Sequence, residues 1–374
     1  MAMRHTDGAL DAFHKAVDAD PKQTLSYKML GYAQMEARRD KDADKTWRDL
    51  IKLNSDDIDA HSNLGLILMR QKRYAEAASE IEAAVKIKPD RANLQHQLGA
   101  AYLHGGDEEK SLAAYARALE LDPGTEMRNN IAYEMAAAGK KLPEALAYAQ
   151  KAVREEEEAS SQLKSDDLQV EDMQHTHRLG MYWDTLGWIY FRMGTLDQVE
   201  KYLSAAWNLL QDPVIGDHLG QLYEKQHKNQ QAIHMYRLAL AAASAWPGRH
   251  DMAETRSRLS HLGGSATSGP FNLPVGGEEL SRLRTVKLPR IVPGSANAEL
   301  MLLFGQGSKL DGVKFVSGSD KLKSADKLLN ATKFDMSFPD DGPTRVVRRA
   351  ILGCYSASGC SLVFMPADNF SPIN

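Results

Sequence analysis

Three glycines, Gly31, Gly65 and Gly99, recur at intervals of 34 residues. A fixed period of that length specifies a stack of like units, each burying the face its neighbour cannot bury alone. The residues between the glycines say what a unit is. From Tyr182 to Gly220, Trp183, Leu186, Gly187 and Tyr190 fall at i, i+3, i+4 and i+7, one face of a helix. Gly194 breaks that pattern, Val199, Leu203 and Ala206 resume it, and Pro213 stops it. The unit is an antiparallel helix pair.

Seven such units follow one another. Ala9, Phe13, Ala16 and Pro21 read as the second helix of a first repeat whose partner helix would need more residues than precede it; either the chain begins with an unpaired helix or, the favoured reading, it is a fragment of something longer. The second repeat has Tyr27, Leu30 and Gly31, then Ala43, Trp47 and Leu50. Leu64, Gly65 and Leu68 lead to Ala77, Ile81, Ala84 and Pro89 in the third, and Leu98, Gly99 and Tyr102 lead to Ser111, Tyr115, Ala118 and Pro123 in the fourth. The fifth is looser, with Ile131, Ala132 and Met135 before Ala145, Ala149 and Ala152; Gly139 suits the end of its first helix and Pro143 the opening turn of its second. The seventh has Leu219, Gly220 and Tyr223, then Ala232, Tyr236 and Ala239, and Ala253–Leu262 reads as a closing helix.

This grammar resembles the tetratricopeptide repeat over roughly Ala9 to Leu262. Small residues let two helices approach, large ones such as Tyr115 and Leu203 fill the space between repeats, and Pro89 and Pro123 end second helices because a mid-helix proline costs ~3 kcal/mol. The expected fold is therefore mainly α: a helical solenoid over 1–262, a Gly/Ser/Pro linker over 263–279, and a small α+β domain over 280–374. In that last region Arg284–Leu288, Glu299–Phe304, Val313–Val316, Arg345–Cys354 and Ser361–Met365 are β-prone, Asp320–Ala331 reads as a helix, and Phe338–Pro343 is turn chemistry. The order of its elements resembles the C-terminal domain of TonB-type periplasmic proteins. YWDTLGW at 182–188, DHLGQ at 217–221 and FPDDGPTRVVRR at 338–349 resemble the C-terminal portion of exported bacterial proteins in which a transglutaminase-like domain precedes the repeats. That likeness implies an extracytoplasmic setting, periplasmic in bacteria, with a cytoplasmic one as the alternative. It carries over no catalytic residue, because the transglutaminase-like part is not in this sequence.

One segment interrupts the rhythm. Residues 154–179 are inserted between repeats five and six and carry Glu155–Glu158, Asp166, Asp167, Glu171 and Asp172. They read either as a helical extension with a solvated acidic face or as an arm that docks elsewhere through Leu163, Leu168, Val170 and Met173.

The formal net charge of −4 argues against a nucleic-acid partner, although 280–374 holds 13 Lys/Arg against 8 Asp/Glu. No apolar run reaches the length of a membrane span, and the first residues lack the apolar core of a secretory signal. His175 and His177 have no Cys or His partner at ligand spacing, so no metal or cofactor is expected. Gly305–Lys309 lacks the phosphate-loop spacing and reads as a hairpin turn, and Asp340 and Asp341 read as turn carboxylates. Cys354 and Cys360 flank a five-residue loop and can face each other across a hairpin. A disulfide there would imply an oxidising compartment; the alternative is two small buried thiols.

The resemblance implies that first helices line a concave groove. Counted from each Leu-Gly pair, its positions are Lys28, Tyr32 and Met35 in repeat two, Leu66, Met69 and Arg70 in three, and His96, Leu103 and His104 in four. Asn129 and Tyr133 follow in repeat five, and Met181, Asp184, Trp188 and Arg192 in six. Methionines and aromatics suit adaptable apolar contact. The Lys/Asn clamp that some family members use for a C-terminal carboxylate is replaced here by Tyr32, Leu66 and Ala100. The expected function is a non-catalytic scaffold, not an enzyme, holding a protein or peptide segment that includes other domains of its own full-length chain among the candidates. The alternative is an accessory, substrate-positioning region of a larger cell-envelope transglutaminase-like or peptidase-like enzyme.

Overall fold

The computed structural model describes residues 2–244, 252–268, 273–274, 276–292, 294–339, 342–355 and 359–366. It is a mainly helical solenoid followed by a small mixed α+β sheet domain. The chain divides into two compact units, Met1–Lys141 and Leu142–Asn374.

The first unit runs α1 (Ala2–Ala19), α2 (Thr24–Glu36), α3 (Asp40–Leu53), α4 (Ile58–Arg70), α5 (Tyr74–Ile87), α6 (Ala92–Gly105), α7 (Glu108–Leu121) and α8 (Thr125–Ala138). Short turns enforce the antiparallel pairing. Arg38, Lys72 and Gly106 stand 34 residues apart, each left-handed with φ of 57°, 60° and 93°. Only the last uses the residue that adopts this conformation without steric cost. Asp57 and Asp107 cap α4 and α7 by accepting from the N–H groups of Ala60 and Lys110.

The core of the pairs follows one rule. A methyl group placed on Gly31, Gly65 or Gly99 would lie 2.5 Å from Trp47, Ile81 or Tyr115, in each case the residue sixteen positions later. Those three side chains are fully buried. The glycine in the first helix is thus a socket for the large residue of the second, and the pair closes to a distance that no Cβ would permit.

The second unit obeys the same rule at Gly187 against Leu203 and Gly220 against Tyr236. Its helices are α9 (Leu142–Ser161), α10 (Met173–Met193), α11 (Leu196–Leu210), α12 (Pro213–Lys225), α13 (Asn229–Ser244) and α14 (Ala253–His261). Leu259 of α14 and Met252 before it pack on Ile233, Tyr236 and Leu240, so α14 covers the apolar side of α13. Two-residue strands β1 (Thr267–Ser268) and β2 (Leu273–Pro274) pair antiparallel. A short helix, α15 (Gly277–Leu283), follows, which the Gly/Ser/Pro run did not suggest.

The sheet is antiparallel throughout, with β3 (Thr285–Leu288), β4 (Ala296–Phe304), β5 (Leu310–Gly318), β6 (Val346–Tyr355) and β7 (Gly359–Phe364) in the order β3-β7-β6-β4-β5. Gly305–Lys309 is the turn joining β4 to β5. Asp320–Ala331 is helical, a 3₁₀ stretch over Asp320–Ala325 running into α16 (Asp326–Ala331). On one face of the sheet Phe304, Phe334 and Phe364 meet edge-to-face at 5.1–6.1 Å. Cys354 and Cys360 are register partners across β6 and β7 and are joined by a disulfide, Cα atoms 4.0 Å apart. The turn residues Asp340 and Asp341 and the hairpin loop 356–358 lie outside the described residues.

The inserted segment divides between both of its readings. Residues up to Ser161 extend α9 and those from Met173 open α10. Asp166, Asp167 and Glu171 are exposed, but Glu156 is buried, accepting from His175 Nδ1 at 2.6 Å and Arg178 Nε at 2.9 Å. The stretch between the helices lies on the sheet: Leu168 and Met173 are buried with Met301, Leu303 and Val347, flanked by Leu163 and Val170. Thr176 fastens the arrangement. Its hydroxyl donates to Val347 O at 3.0 Å and accepts from Val347 N at 2.8 Å. Arg345 donates to Leu163 O, and Arg348, buried, donates to Asn208 O at 3.1 Å. Burial and the neighbouring Arg284 push the Arg348 pKa down to about 10.

Candidate functional site

In the second unit, the first-helix side of repeats six and seven opens into a cleft of about 580 Å³. Trp188 and Arg192 of α10 line one wall with Phe191, His218 and Gln221 of α12 the next, and the start of α14 the third. Helical spacing explains the wall: 188, 191 and 192 are i, i+3 and i+4, so all three project from one side of α10.

The wall is a stack of rings. Trp188 lies nearly parallel to His218, centroids 4.1 Å apart, and to Phe191 at 4.9 Å. The Lys225 ammonium sits 4.7 Å from the Phe191 centroid and Arg192 6.0 Å from that of Trp188. His218 is buried and its Nδ1 lies 2.8 Å from Asp184 Oδ1. Burial opposes its charge, but Asp184, then Asp217 and Asp212, outweigh that and raise its pKa above the ordinary value. Across the cleft Arg258 contacts Asp217 at 3.1 Å and Glu254 at 2.9 Å. The arrangement offers aromatic edges and both signs of charge, and suits recognition of a polypeptide side chain more than bond-making.

The remaining groove positions divide by burial. Leu103 is fully buried, and Asn129 and Asp184 nearly so; these three face helix packing and form no open surface. Their first-helix position was legible, but which side of the helix meets a neighbour was not. Tyr32 and Met181 are exposed. Lys28 binds Asp57 and Asp59 at 3.0 and 2.8 Å, and Arg70 binds Asp40 at 2.6 Å. Met35 and Met69 pack against the core of the early repeats, and Leu66 and Tyr133 are half-buried. His96 tilts against Tyr115, with burial holding its pKa down. His104 stacks on Tyr74 at 5.4 Å within a second cleft of about 670 Å³, which also takes in Tyr102, Lys72 and Lys110. The counting rule pointed to neither Phe191, His218 nor Arg258. Phe191 carries an aromatic signal three residues after Trp188, and His218 stands two before Gly220 as Asn63 stands two before Gly65, whereas Arg258 has no signal that sequence spacing reveals.

The description tetratricopeptide repeat matches residues 56–123, the span that holds α4 to α7. The Hsp70-Hsp90 organizing protein of Triticum aestivum is 36% identical over 99 residues, 26% of this chain and 17% of its own length. Anaphase-promoting complex subunit 3 of Schizosaccharomyces pombe is 25% identical over 119 residues, 32% of this chain and 18% of its own length. The chain thus spans less than a fifth of either relative. A crystal structure of a tetratricopeptide repeat protein from Parabacteroides merdae superposes with a TM-score of 0.53 at 12% identity, over 69% of this chain and 92% of that one, a likeness of fold. Proteins of this fold generally act as non-catalytic scaffolds for protein or peptide partners. Among the described residues no group of three or more His, Cys, Asp or Glu is placed to hold a metal ion, and no helix is long and apolar enough to cross a membrane.

Proposed function

We propose that the chain is a non-catalytic scaffold that holds a protein or peptide segment on the first-helix faces of its repeats, with the Trp188 cleft as the principal seat. The observation that carries this reading is the parallel stack of Phe191, Trp188 and His218, set opposite Arg258 in one cleft. A rigid aromatic wall with charges at its rim is what an anchor side chain needs. The test is a photo-crosslinking residue at Gln221, which lines the cleft. A partner captured there should be lost on Trp188→Ala. Capture that persists unchanged would move the binding surface elsewhere.

An extracytoplasmic setting is part of the same proposal, supported by the Cys354–Cys360 disulfide, which persists in oxidising compartments. Thiol labelling of the protein in intact and lysed cells tests it: labelling of both cysteines without reductant would reject it. A positioning role beside a transglutaminase-like domain remains the second form of the scaffold reading. The docking of the sheet on α10 through Thr176 favours it, because that contact fixes the small domain relative to the cleft-bearing helices.

A further inference from the structure

The pairing rule of the repeats says what belongs on the exposed side of α1 and α2. Phe13 stands 34 residues before Trp47, 68 before Ile81 and 102 before Tyr115. Those three are fully buried, each in the socket of a glycine sixteen residues earlier, whereas Phe13 is half-buried. Ala9 and Ala16 behave alike: their equivalents Ala43, Ala77, Leu50 and Ala84 are fully buried, and they are not.

The adjoining helix shows the same opening. In α4 the residues facing the preceding first helix are Asp59, which takes the Lys28 ammonium at 2.8 Å, and Asn63, whose amide reaches the Tyr32 hydroxyl at 3.4 Å. In α6 the equivalent of Asn63 is Gln97, which accepts from Ser62 at 2.8 Å. The α2 equivalents are Leu25 and Met29, exposed to 61% and 42% with no first helix beside them among the described residues. Where α4 and α6 present polar groups to a neighbour, α2 presents two large apolar ones.

We propose that this face receives one amphipathic helix of a separate partner protein, in the register that α2 holds toward α3 and α4. The register fixes its chemistry. A glycine or alanine sits against Phe13, as Gly31 sits against Trp47. Three residues before and one after that small residue, at the places of Lys28 and Tyr32 relative to Gly31, the helix carries apolar side chains to meet Leu25 and Met29. Covering those two exposed side chains is worth roughly the transfer of two large apolar groups from water.

The chain itself supplies a probe. A fluorescent peptide of residues 56–72 with Ser62→Leu keeps the Asp57 cap and Gly65 and has Leu at both apolar places. Saturable binding to the full chain by anisotropy is expected. It should weaken roughly tenfold or more when the peptide carries Gly65→Leu, by overpacking at the socket, and equally when the protein carries Leu25→Asp with Met29→Asp. Both protein positions are exposed, so circular dichroism and Tm should report an intact fold. Three results would overturn the proposal: no binding, binding indifferent to either change, or a wild-type dimer that the Asp pair dissociates in sedimentation, which would assign the face to a second copy.

Discussion

Gly99 and Tyr115 lie sixteen residues apart in sequence, and a methyl group on Gly99 would sit 2.5 Å from the Tyr115 ring. The ring is fully buried between two helices and has no free direction in which to retreat. Gly99→Ala should therefore destabilise the first unit by about 1–3 kcal/mol through overpacking, despite alanine's better helix propensity. Urea denaturation checks this as a lower midpoint. Tyr115→Leu in the same chain should recover part of the loss.

The left-handed turn at Lys72 offers the opposite sign. Its φ of 60° is a conformation that glycine adopts freely and other residues at a cost of about 1 kcal/mol. Lys72→Gly should raise Tm slightly, or at worst leave it unchanged once the added chain entropy of glycine is counted. Ala at the same place should not.

His218 makes stability depend on pH. Burial disfavours its charged form, but Asp184 on α10, Asp217 on α12 and Asp212 capping α12 together raise its folded pKa above the unfolded value near 6.5. The stabilisation is complete below the unfolded pKa and disappears as pH rises through the folded pKa. Arg192 and Arg258 line the same cleft. The stability gap between wild type and His218→Asn should be widest near pH 5 and narrow at alkaline pH, as measured by denaturation at a series of pH values.

Thr176 and Val347 exchange two hydrogen bonds inside the protein, so Thr176→Val leaves a backbone N–H and a carbonyl of β6 buried without that partner. About 2–4 kcal/mol should be lost for the two groups. Hydrogen exchange gives a sharper readout: the Val347 amide should lose protection well before the β4–β6 ladder around Leu302 does.

The disulfide contributes through the unfolded chain. Closing so short a loop is worth about 2 kcal/mol in the chain-entropy description. Cys354→Ser with Cys360→Ser, or reduction, should lower the unfolding free energy of the second unit by that amount, read as an earlier denaturation midpoint, while leaving the helices of the first unaffected.

What the sequence revealed follows from how far each cause reaches along the chain. The glycine sockets were legible because both members of a pair fall within one helix hairpin and repeat with the period. The succession of strands along the small domain was legible because its turns carry glycine at the reversals, but the pairing of β3 with β7 at the far end of the sheet was not, since nothing local joins them. The docking of Leu168 and Met173 on Met301 and Val347 was open between two readings, since its partners lie more than a hundred residues away and nothing periodic connects them. For the groove the position along the helix was fixed, but rotation about its axis was not. Leu103 therefore turned inward, while Trp188 turned to meet a histidine contributed by the next repeat.

The sixteen-residue spacing has a bearing on which changes in length this architecture tolerates. Gly187 still meets Leu203 although residues 154–179 were added just upstream, because the addition falls between hairpins and leaves every socket at its distance. One residue inserted inside a hairpin, between Gly65 and Ile81 for instance, would instead slide a large side chain away from the only hollow that accepts it. Lengthening is thus tolerated at the joints and forbidden within the links, and loops grafted onto this scaffold belong at the former.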